Sequence, residues 1–342
     1  MAEMMKALVT LVDGYGSEVP PTPLPSLEPY LKLVEMQRPV PKPGEVLIKL
    51  RVASVNPSDT AYVVGLYGQP RIADHPAGFE GCGDVVASGG GFMANRLKGK
   101  RVAFVAAQAG AWAEYVIANA QFCILLKDGV SDDDGAAMIV NPLTAEAMFG
   151  IVKQSAAKSF IMSAGASQLC KHITRMAQGS GIKVISIVRR AEQIDELKAI
   201  GAAHVLVTDD PAFRSTLKTV VSAEKPRVFL DAVTGPVSAQ VFEAMGNRAR
   251  WIIYGRLDTA PTVLAKPEQL IFQKKQIEGF WLTAWMQEKS LITKLLAINA
   301  VQKRFSSGAW KTDVAAHIPL GEALDGLPEA LAARSGKVML VP

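Results

Sequence analysis

Two groups of residues have types and spacing suited to chemistry. The first is the run Ser163-Ala164-Gly165-Ala166-Ser167-Gln168-Leu169-Cys170, small residues between an apolar strand-like segment and a helix-like one. Such a turn leaves backbone amides open to an anion at a helix start, the way a βαβ unit holds a dinucleotide pyrophosphate. Only Gly165 survives as glycine, and Cys170 stands where a close-packing glycine is common, so the turn alone fits an ordinary strand-to-helix connection equally well. The second group is Arg189-Arg190, roughly 20 residues further on, where an NAD site usually presents a carboxylate to the ribose and an NADP site an arginine to the 2′-phosphate. A guanidinium binds phosphate oxygens in pairs, so the expected cofactor is NADP(H). The alternative is a solvated strand end.

Metal and thiol chemistry find little support. Cys82, Cys123 and Cys170 are far apart, none at metal-ligand spacing, and each is expected to be a small core residue. His75, His172, His204 and His317 are scattered singly and are expected at surfaces or turns. No metal site is expected.

The elements that must position the two groups follow from periodicity. Strands are expected at Lys6–Leu11, Glu45–Val52, Asp84–Ala87, Arg101–Val105, Trp112–Ile117 and Cys123–Leu126, with a proline-rich stretch from Pro20 to Pro29. Roughly the first 130 residues are therefore mostly β with few helices. A helix is expected from Asp132 to Gln154 behind a Ser131-Asp132 capping signal. Strands and helices then alternate: strands at Ser159–Ser163, Lys183–Val188, His204–Val207, Arg227–Asp231 and Arg250–Tyr254, with helices at Gln168–Gln178, Glu192–Ile200, Pro211–Val221 and Val237–Met245. That alternation requires a parallel sheet covered on both faces, a doubly wound Rossmann domain with the small-residue turn after its first strand. A long helix is expected at Gln287–Phe305, and the tail ends in a strand at Lys337–Val341.

A length of 342 residues suits two domains with a cleft between them. The 49% hydrophobic and 20% charged residues set disorder aside. A net charge of +5 spread without a basic arm does not support nucleic-acid binding, though it suits an anionic cofactor. No signal peptide is read at the start, and the most apolar later stretch, Val102–Ala113, is too short to span a bilayer. A cytoplasmic protein with no membrane partner is expected.

Several segments together resemble the zinc-independent quinone oxidoreductase branch of the medium-chain dehydrogenase/reductases, especially its mitochondrial-type 2-enoyl thioester reductases. They are Val55-Asn56-Pro57-Ser58-Asp59 with Gly65-Leu66-Tyr67, Ala77-Gly78-Phe79-Glu80-Gly81, Val140-Asn141-Pro142-Leu143-Thr144-Ala145, Ile253-Tyr254-Gly255, and Gly279-Phe280-Trp281-Leu282-Thr283-Ala284-Trp285. Their order and spacing span nearly the whole chain. The resemblance implies an α/β protein with a GroES-like, mostly-β catalytic domain (residues 1–135 and 286–342) and a Rossmann cofactor domain (136–285). It implies cofactor contacts from Asn141, Thr144, Ala164, Gly165, Ala166, Ser167, Gln168, Leu169, Arg189, Arg190, Tyr254, Gly255, Phe280, Trp281 and Leu282. It also implies a homodimer. Zinc-dependent relatives carry a ligand histidine in a Gly-His-Glu segment, where this chain has Phe79, which cannot bind zinc.

Without a metal, reducing a conjugated carbonyl needs hydride delivery, stabilisation of the enolate and a proton. The resemblance points to Tyr67, eleven residues after Asn56. A phenol with a pKa near 10 stays protonated at neutral pH and can donate. Asn56 is a second catalytic candidate if it faces the substrate; the other reading has Asn56 and Asp59 fixing the loop by side-chain-to-backbone bonds. Tyr67, Trp281 and Trp285 are the candidate substrate-pocket residues, the tryptophans being equally at home in a core or interface. The expected activity is NADPH-dependent reduction of an α,β-unsaturated thioester or ketone, a small electrophile. NADPH:quinone reduction is the alternative, and a non-catalytic nucleotide-binding protein the alternative of another class.

Overall fold

The computed structural model describes residues 3–21, 24–106, 108–333 and 336–342, so two residues of the proline-rich stretch lie outside the description. Residues 1–140 with 298–342 form one unit and residues 141–297 the other. The second crossing therefore falls twelve residues later than the 285/286 boundary read from the sequence, inside a helix.

The first unit is built from β1 (Met4–Thr10), β2 (Leu31–Gln37), β3 (Glu45–Val55), α1 (Pro57–Val63), β4 (Glu80–Ser88), α2 (Phe92–Leu97), β5 (Arg101–Val105), β6 (Tyr115–Asn119), β7 (Cys123–Leu125) and α3 (Asp132–Ala136). β1 and β2 form an antiparallel pair, Met4 opposite Gln37 through Thr10 opposite Leu31. β2 escapes a periodicity reading because adjacent Leu33-Val34 break the alternation after a proline run. α1 escapes it because seven residues give under two turns, and it begins at a proline pre-set for the first helical position. The expected strand at Trp112 starts only at Tyr115. Trp112 packs instead against Gly78, where φ is +82° and a Cβ would fall 2.1 Å from the indole, so only glycine fits before Phe79.

The second unit begins at α4 (Val140–Gln154) and continues through β8 (Ser159–Met162), α5 (Gln168–Gln178), β9 (Lys183–Val188), α6 (Ile194–Ala199), β10 (His204–Val207), α7 (Phe213–Glu224), β11 (Val228–Asp231), α8 (Gly235–Ala244), β12 (Arg250–Ile253), α9 (Glu268–Phe272), β13 (Gln276–Gly279), α10 (Leu282–Glu288) and α11 (Leu291–Ser306). All six strands are parallel, in the order β10-β9-β8-β11-β12-β13. That is the doubly wound arrangement, with its switch point between β8 and β11, where every residue of both strands is buried. β13 is absent from the sequence reading because it is mostly exposed and carries no alternation. The helix expected across 132–154 is two: α3, whose Ser131 hydroxyl accepts from the Asp134 amide, and α4. The helix expected across 287–305 also splits, because Ser290 accepts from the Thr293 amide and starts α11 afresh.

The chain returns to the first unit as β14 (Val314–Pro319), α12 (Ala323–Ala333) and β15 (Lys337–Val341). The larger sheet there runs β14-β15-β3-β4-β5-β7, with β6 also on β3. β3 is long enough to pair β6 over Glu45–Lys49 and β15 over Ala53–Val55. The core of this unit gathers Leu8, Ile48, Phe104, Trp112 and Leu340; that of the other gathers Ile161, Ile185, Phe229, Phe242 and Trp251. Among the described residues no helix is long and apolar enough to cross a membrane.

Candidate functional site

In the first unit, Tyr67 sits in the loop after α1 and is half-buried. Its ring centroid lies 4.9 Å from that of Phe79, and Phe79 lies 5.3 Å from Tyr62. The floor under this stack is set by Asp59, which is fully buried. One carboxylate oxygen accepts the Asn56 amide at 2.6 Å and the other the Phe79 amide at 2.8 Å, joining the start of α1 to the segment beneath Tyr67. Burial pushes the Asp59 carboxyl up to about 7; the Asn56 amide opposes this, Glu80 adds to it, and Lys337 and the Phe79 amide pull it back.

Asn56, a catalytic candidate on sequence, is only 2% exposed. Its amide nitrogen donates to Glu80 at 2.9 Å and to Ser54 at 3.1 Å, and its oxygen accepts from Lys337. Both ends of the amide are thus engaged inside the unit, the arrangement that the loop-fixing alternative calls for. Glu80 also accepts from Ser54 at 2.7 Å, and its other oxygen takes the amides of Ile139 and Val140 at 3.1 and 2.8 Å, the opening donors of α4. Lys337 reaches this cluster from β15; burial lowers its pKa, and Glu80 and Asp59 partly restore it. No sequence motif marks Lys337, because its partners come from the N-terminal end of α1 and from β4.

In the second unit, the small-residue turn leaves β8 at Ser163. Ala164 has φ +46°, and the Gly165 amide donates to Ile187 O at 2.9 Å, tying the turn to the end of β9. A Cβ on Gly165 would lie 2.8 Å from the Ser186 Cβ, which explains the one glycine retained. Ala166 packs on Val188, Leu197 and Ala202. Ser167 caps α5 by accepting from the Cys170 amide, Gln168 is half-buried and Leu169 buried. Cys170 fills the place of the missing third glycine: its thiol lies 3.4 Å from Ser163 O and 3.5 Å from the Tyr254 hydroxyl, so sulfur makes the helix-to-strand contact. Burial raises the Tyr254 phenol well above its ordinary value.

Arg189 and Arg190 are exposed just past β9. Arg190 faces Glu192 at 3.7 Å, whereas Arg189 makes no ion pair among the described residues. Tyr254 and Gly255 follow β12; the Tyr254 amide donates to Asp231 O, and a Cβ on Gly255 would lie 3.0 Å from Ala232 O. Phe280 after β13 donates its amide to Ile253 O at 2.8 Å. Trp281 caps α10, which begins at Leu282, is 39% exposed, and accepts from the amide of half-buried Trp285 one turn on. The turn, the β9 tip and the ends of β12 and β13 thus meet at the carboxyl end of one sheet. Asn141 and Thr144 stand on the first two turns of α4 with no hydrogen bond to this group among the described residues.

The sequence reading missed the residue that organises this end. Asp231, fully buried at the tip of β11, accepts from Ser163 Oγ at 2.5 Å, Ser238 Oγ at 3.0 Å, Trp251 Nε1 at 2.8 Å and the amides of Val233 and Thr234 at 2.9 and 3.1 Å. The available signal was a lone aspartate ending an otherwise apolar strand at the switch point, a buried charge that must be satisfied. Thr234 has φ +65°, a conformation unusual outside glycine, and the bond to Asp231 holds it there.

The histidines and cysteines differ partly from expectation. His204 lies 2.9 Å from Glu224 and His317 2.7 Å from Asp133, both toward the surface, but His172 is buried in α5. Cys82 and Cys170 are core residues, while Cys123 is half-buried; burial pushes the thiols of Cys82 and Cys123 up to about 12.

Comparison with known proteins places both units. The alcohol dehydrogenase GroES-like domain matches residues 42–128, and the zinc-binding dehydrogenase family matches 171–297. A crystal structure from Mesorhizobium loti, provisionally named an NADPH:quinone reductase, is 53% identical over 100% of this chain and 99% of its own, with a TM-score of 0.96. The mitochondrial enoyl-[acyl-carrier-protein] reductase of Bos taurus is 28% identical over 255 residues, 72% of this chain and 67% of that protein. A mitochondrial 2-enoyl thioester reductase heterodimer from Candida tropicalis aligns with a TM-score of 0.79 over 99% of this chain and 100% of its own at 20% identity, a likeness of fold. The second family description names zinc, which needs donor side chains. Phe79 offers none, and among the described residues no three His, Cys, Asp or Glu side chains gather around a metal position.

Proposed function

The chain belongs to the medium-chain dehydrogenase/reductases, a family of oxidoreductases, and on that premise we propose that it is an NADPH-dependent reductase of α,β-unsaturated thioesters or ketones that works without a metal. The observation that carries this reading is the Tyr67–Phe79 stack: an aromatic ring occupies the place of a metal donor, and a phenol lies against it. In this reading the turn Ala164–Leu169 receives the pyrophosphate and exposed Arg189, with Arg190 beside it, receives the 2′-phosphate. Tyr254, Gly255 and the Phe280–Leu282 backbone line the remainder, with Asn141 and Thr144 as further contacts. Bound NADPH supplies the hydride. With a hydride delivered to the substrate β carbon, the Tyr67 hydroxyl would donate a hydrogen bond to the carbonyl oxygen, where charge would develop, and its proton, or one relayed from water, would go to the α carbon. Trp281 and Trp285 offer apolar surface to the substrate.

A second reading, NADPH:quinone reduction, is favoured by the 53% identity to the Mesorhizobium loti protein. Assembly as a homodimer completes the proposal: among the described residues β13 pairs β12 alone, and Ile277 on β13 and Leu291, Ile292, Leu295 and Leu296 on α11 are exposed. Three free thiols suit a reducing compartment such as the cytoplasm.

The test is NADPH oxidation against a panel of 2-enoyl-CoAs, enones and benzoquinones, for wild type, Tyr67→Phe and Arg189→Ala. Tyr67→Phe is expected to lower kcat for the enoyl substrate about 100-fold. Arg189→Ala is expected to raise KM for NADPH about ten-fold and leave that for NADH unchanged. Full activity of Tyr67→Phe on every accepted substrate sinks the proton-donor role; turnover of quinones alone selects the second reading.

A further inference from the structure

Tyr67 lies on a stretch, Val64 to Pro70, with no helix or strand. A side chain on such a loop is placed only as well as the loop's two ends are held. Both ends are held against one short segment, residues 13–16. At the near end, the Gly16 amide donates to Gly65 O at 2.8 Å. At the far end, Gly14 and Arg71 exchange both backbone hydrogen bonds, at 3.0 and 3.1 Å, and the Ala73 amide donates to Asp13 at 2.7 Å. The approach is so close that a Cβ on Gly16 would fall 2.3 Å from Val64 O, and one on Gly65 2.3 Å from the Gly16 nitrogen.

Arg71 closes the figure. The residue is 8% exposed, and its side chain turns back beneath the loop it ends. Nε donates to Gly14 O at 3.0 Å and Nη1 reaches Val63 O, the last residue of α1, at 3.4 Å. A Cβ on Gly65 would lie 2.7 Å from the guanidinium carbon, so the group fills the space glycine leaves at the opposite end of the loop. One planar side chain therefore bridges the helix before Tyr67, the loop's first turn and the segment across from it. Among the described residues no carboxylate pairs with Arg71; its charge is held by carbonyl dipoles, one of them at the C-terminal end of α1. A buried guanidinium with no counter-ion is costly to keep, and packing alone would be served by an apolar side chain.

We propose that Arg71 is the positioning residue for Tyr67, acting by locking the Tyr67 loop shut against residues 13–16. The proposal rests on Tyr67 acting in the reaction described above. Loss of the guanidinium leaves the Phe79 support in place but frees the loop ends, so the phenol samples orientations that do not meet the substrate oxygen. Binding of NADPH, assigned to other residues, is untouched.

The test combines kinetics and amide exchange on Arg71→Gln, Arg71→Lys, Tyr67→Phe and the double variant Tyr67→Phe/Arg71→Gln. Arg71→Gln is expected to lower kcat about ten-fold, with the dissociation constant for NADPH changed less than about two-fold. Arg71→Lys is expected to recover part of the loss. In the Tyr67→Phe background Arg71→Gln should cost less than about two-fold more, because the two side chains act as a unit. An unchanged kcat, or the same fractional loss with and without the Tyr67 hydroxyl, overturns the proposal. Exchange separates the clamp from the chemistry. In Arg71→Gln the amides of Gly14, Gly16 and Arg71 should exchange faster while those of β3 and β4 do not; equal loosening of the sheet assigns Arg71 a general structural part and overturns the proposal. If Tyr67→Phe is fully active, the catalytic reading fails by itself, and the exchange pattern still decides whether the clamp exists.

Discussion

Asp231 and Asp59 are both fully buried carboxylates, one at the tip of β11 and the other in the first turn of α1, yet the two units satisfy them in different ways. Asp231 collects five neutral donors: two hydroxyls, an indole and two backbone amides. Asp59 takes two amides and shares its surroundings with the charges of Glu80 and Lys337. Fixed dipoles of short side chains and backbone permit one geometry, and they hold Ser163 at the head of the small-residue turn and Thr234 in its unusual conformation. The ionic cluster also sets geometry, but there the proton count enters, because a carboxyl pushed up to about 7 changes charge near neutrality. The comparison teaches that a buried carboxylate can serve a site either as a rigid hub or as a hub whose grip depends on pH.

The largest effect should come from Asp231→Ala, which leaves all five donors without an acceptor in the sheet. A loss of about 3–5 kcal/mol in urea unfolding is expected, with NADPH affinity falling as the turn loosens. A cost below about 1 kcal/mol would show that the hub is dispensable and erase the contrast. Next is Lys337→Met, which removes the cation from between Asp59 and Glu80 and the donor to Asn56. It should cost about 3 kcal/mol at pH 8 and distinctly less at pH 5, where Asp59 can take up a proton. Equal cost at both pH values would mean that the cluster is held by shape alone.

Per pH unit, the smallest effect is the pH dependence of the wild type itself. The folded Asp59 carboxyl titrates near 7 against an ordinary value of 3.8, so the folded chain keeps a proton that the unfolded chain releases. Its contribution to stability is complete below about pH 4, declines as pH rises and is gone above about pH 7, with a slope of at most about 1.4 kcal/mol per pH unit. Asp59→Asn should flatten this part of the curve. Calorimetric unfolding across pH 4–8 reads it, and parallel wild-type and variant curves would remove Asp59 as the source.

The amino-acid sequence by itself determined the alternation that makes residues 141–297 a doubly wound unit, and α5, β9, β10 and β15 have the limits periodicity gives. Buried parallel strands and amphipathic helices are local patterns, and local patterns survive in one dimension. It also presented the small-residue turn, Arg189 and the Gly-Phe-Glu segment, because a turn, an exposed charge and a substituted motif are each visible within a few positions. Only the tertiary structure decided what the Asn56 amide bonds to: Ser54, Glu80 and Lys337, the last 281 residues away. The same holds for Asp231 and Arg71: a buried charge is defined by which donors or carbonyls surround it, and those arrive from strands and loops that are neighbours in space and strangers along the chain.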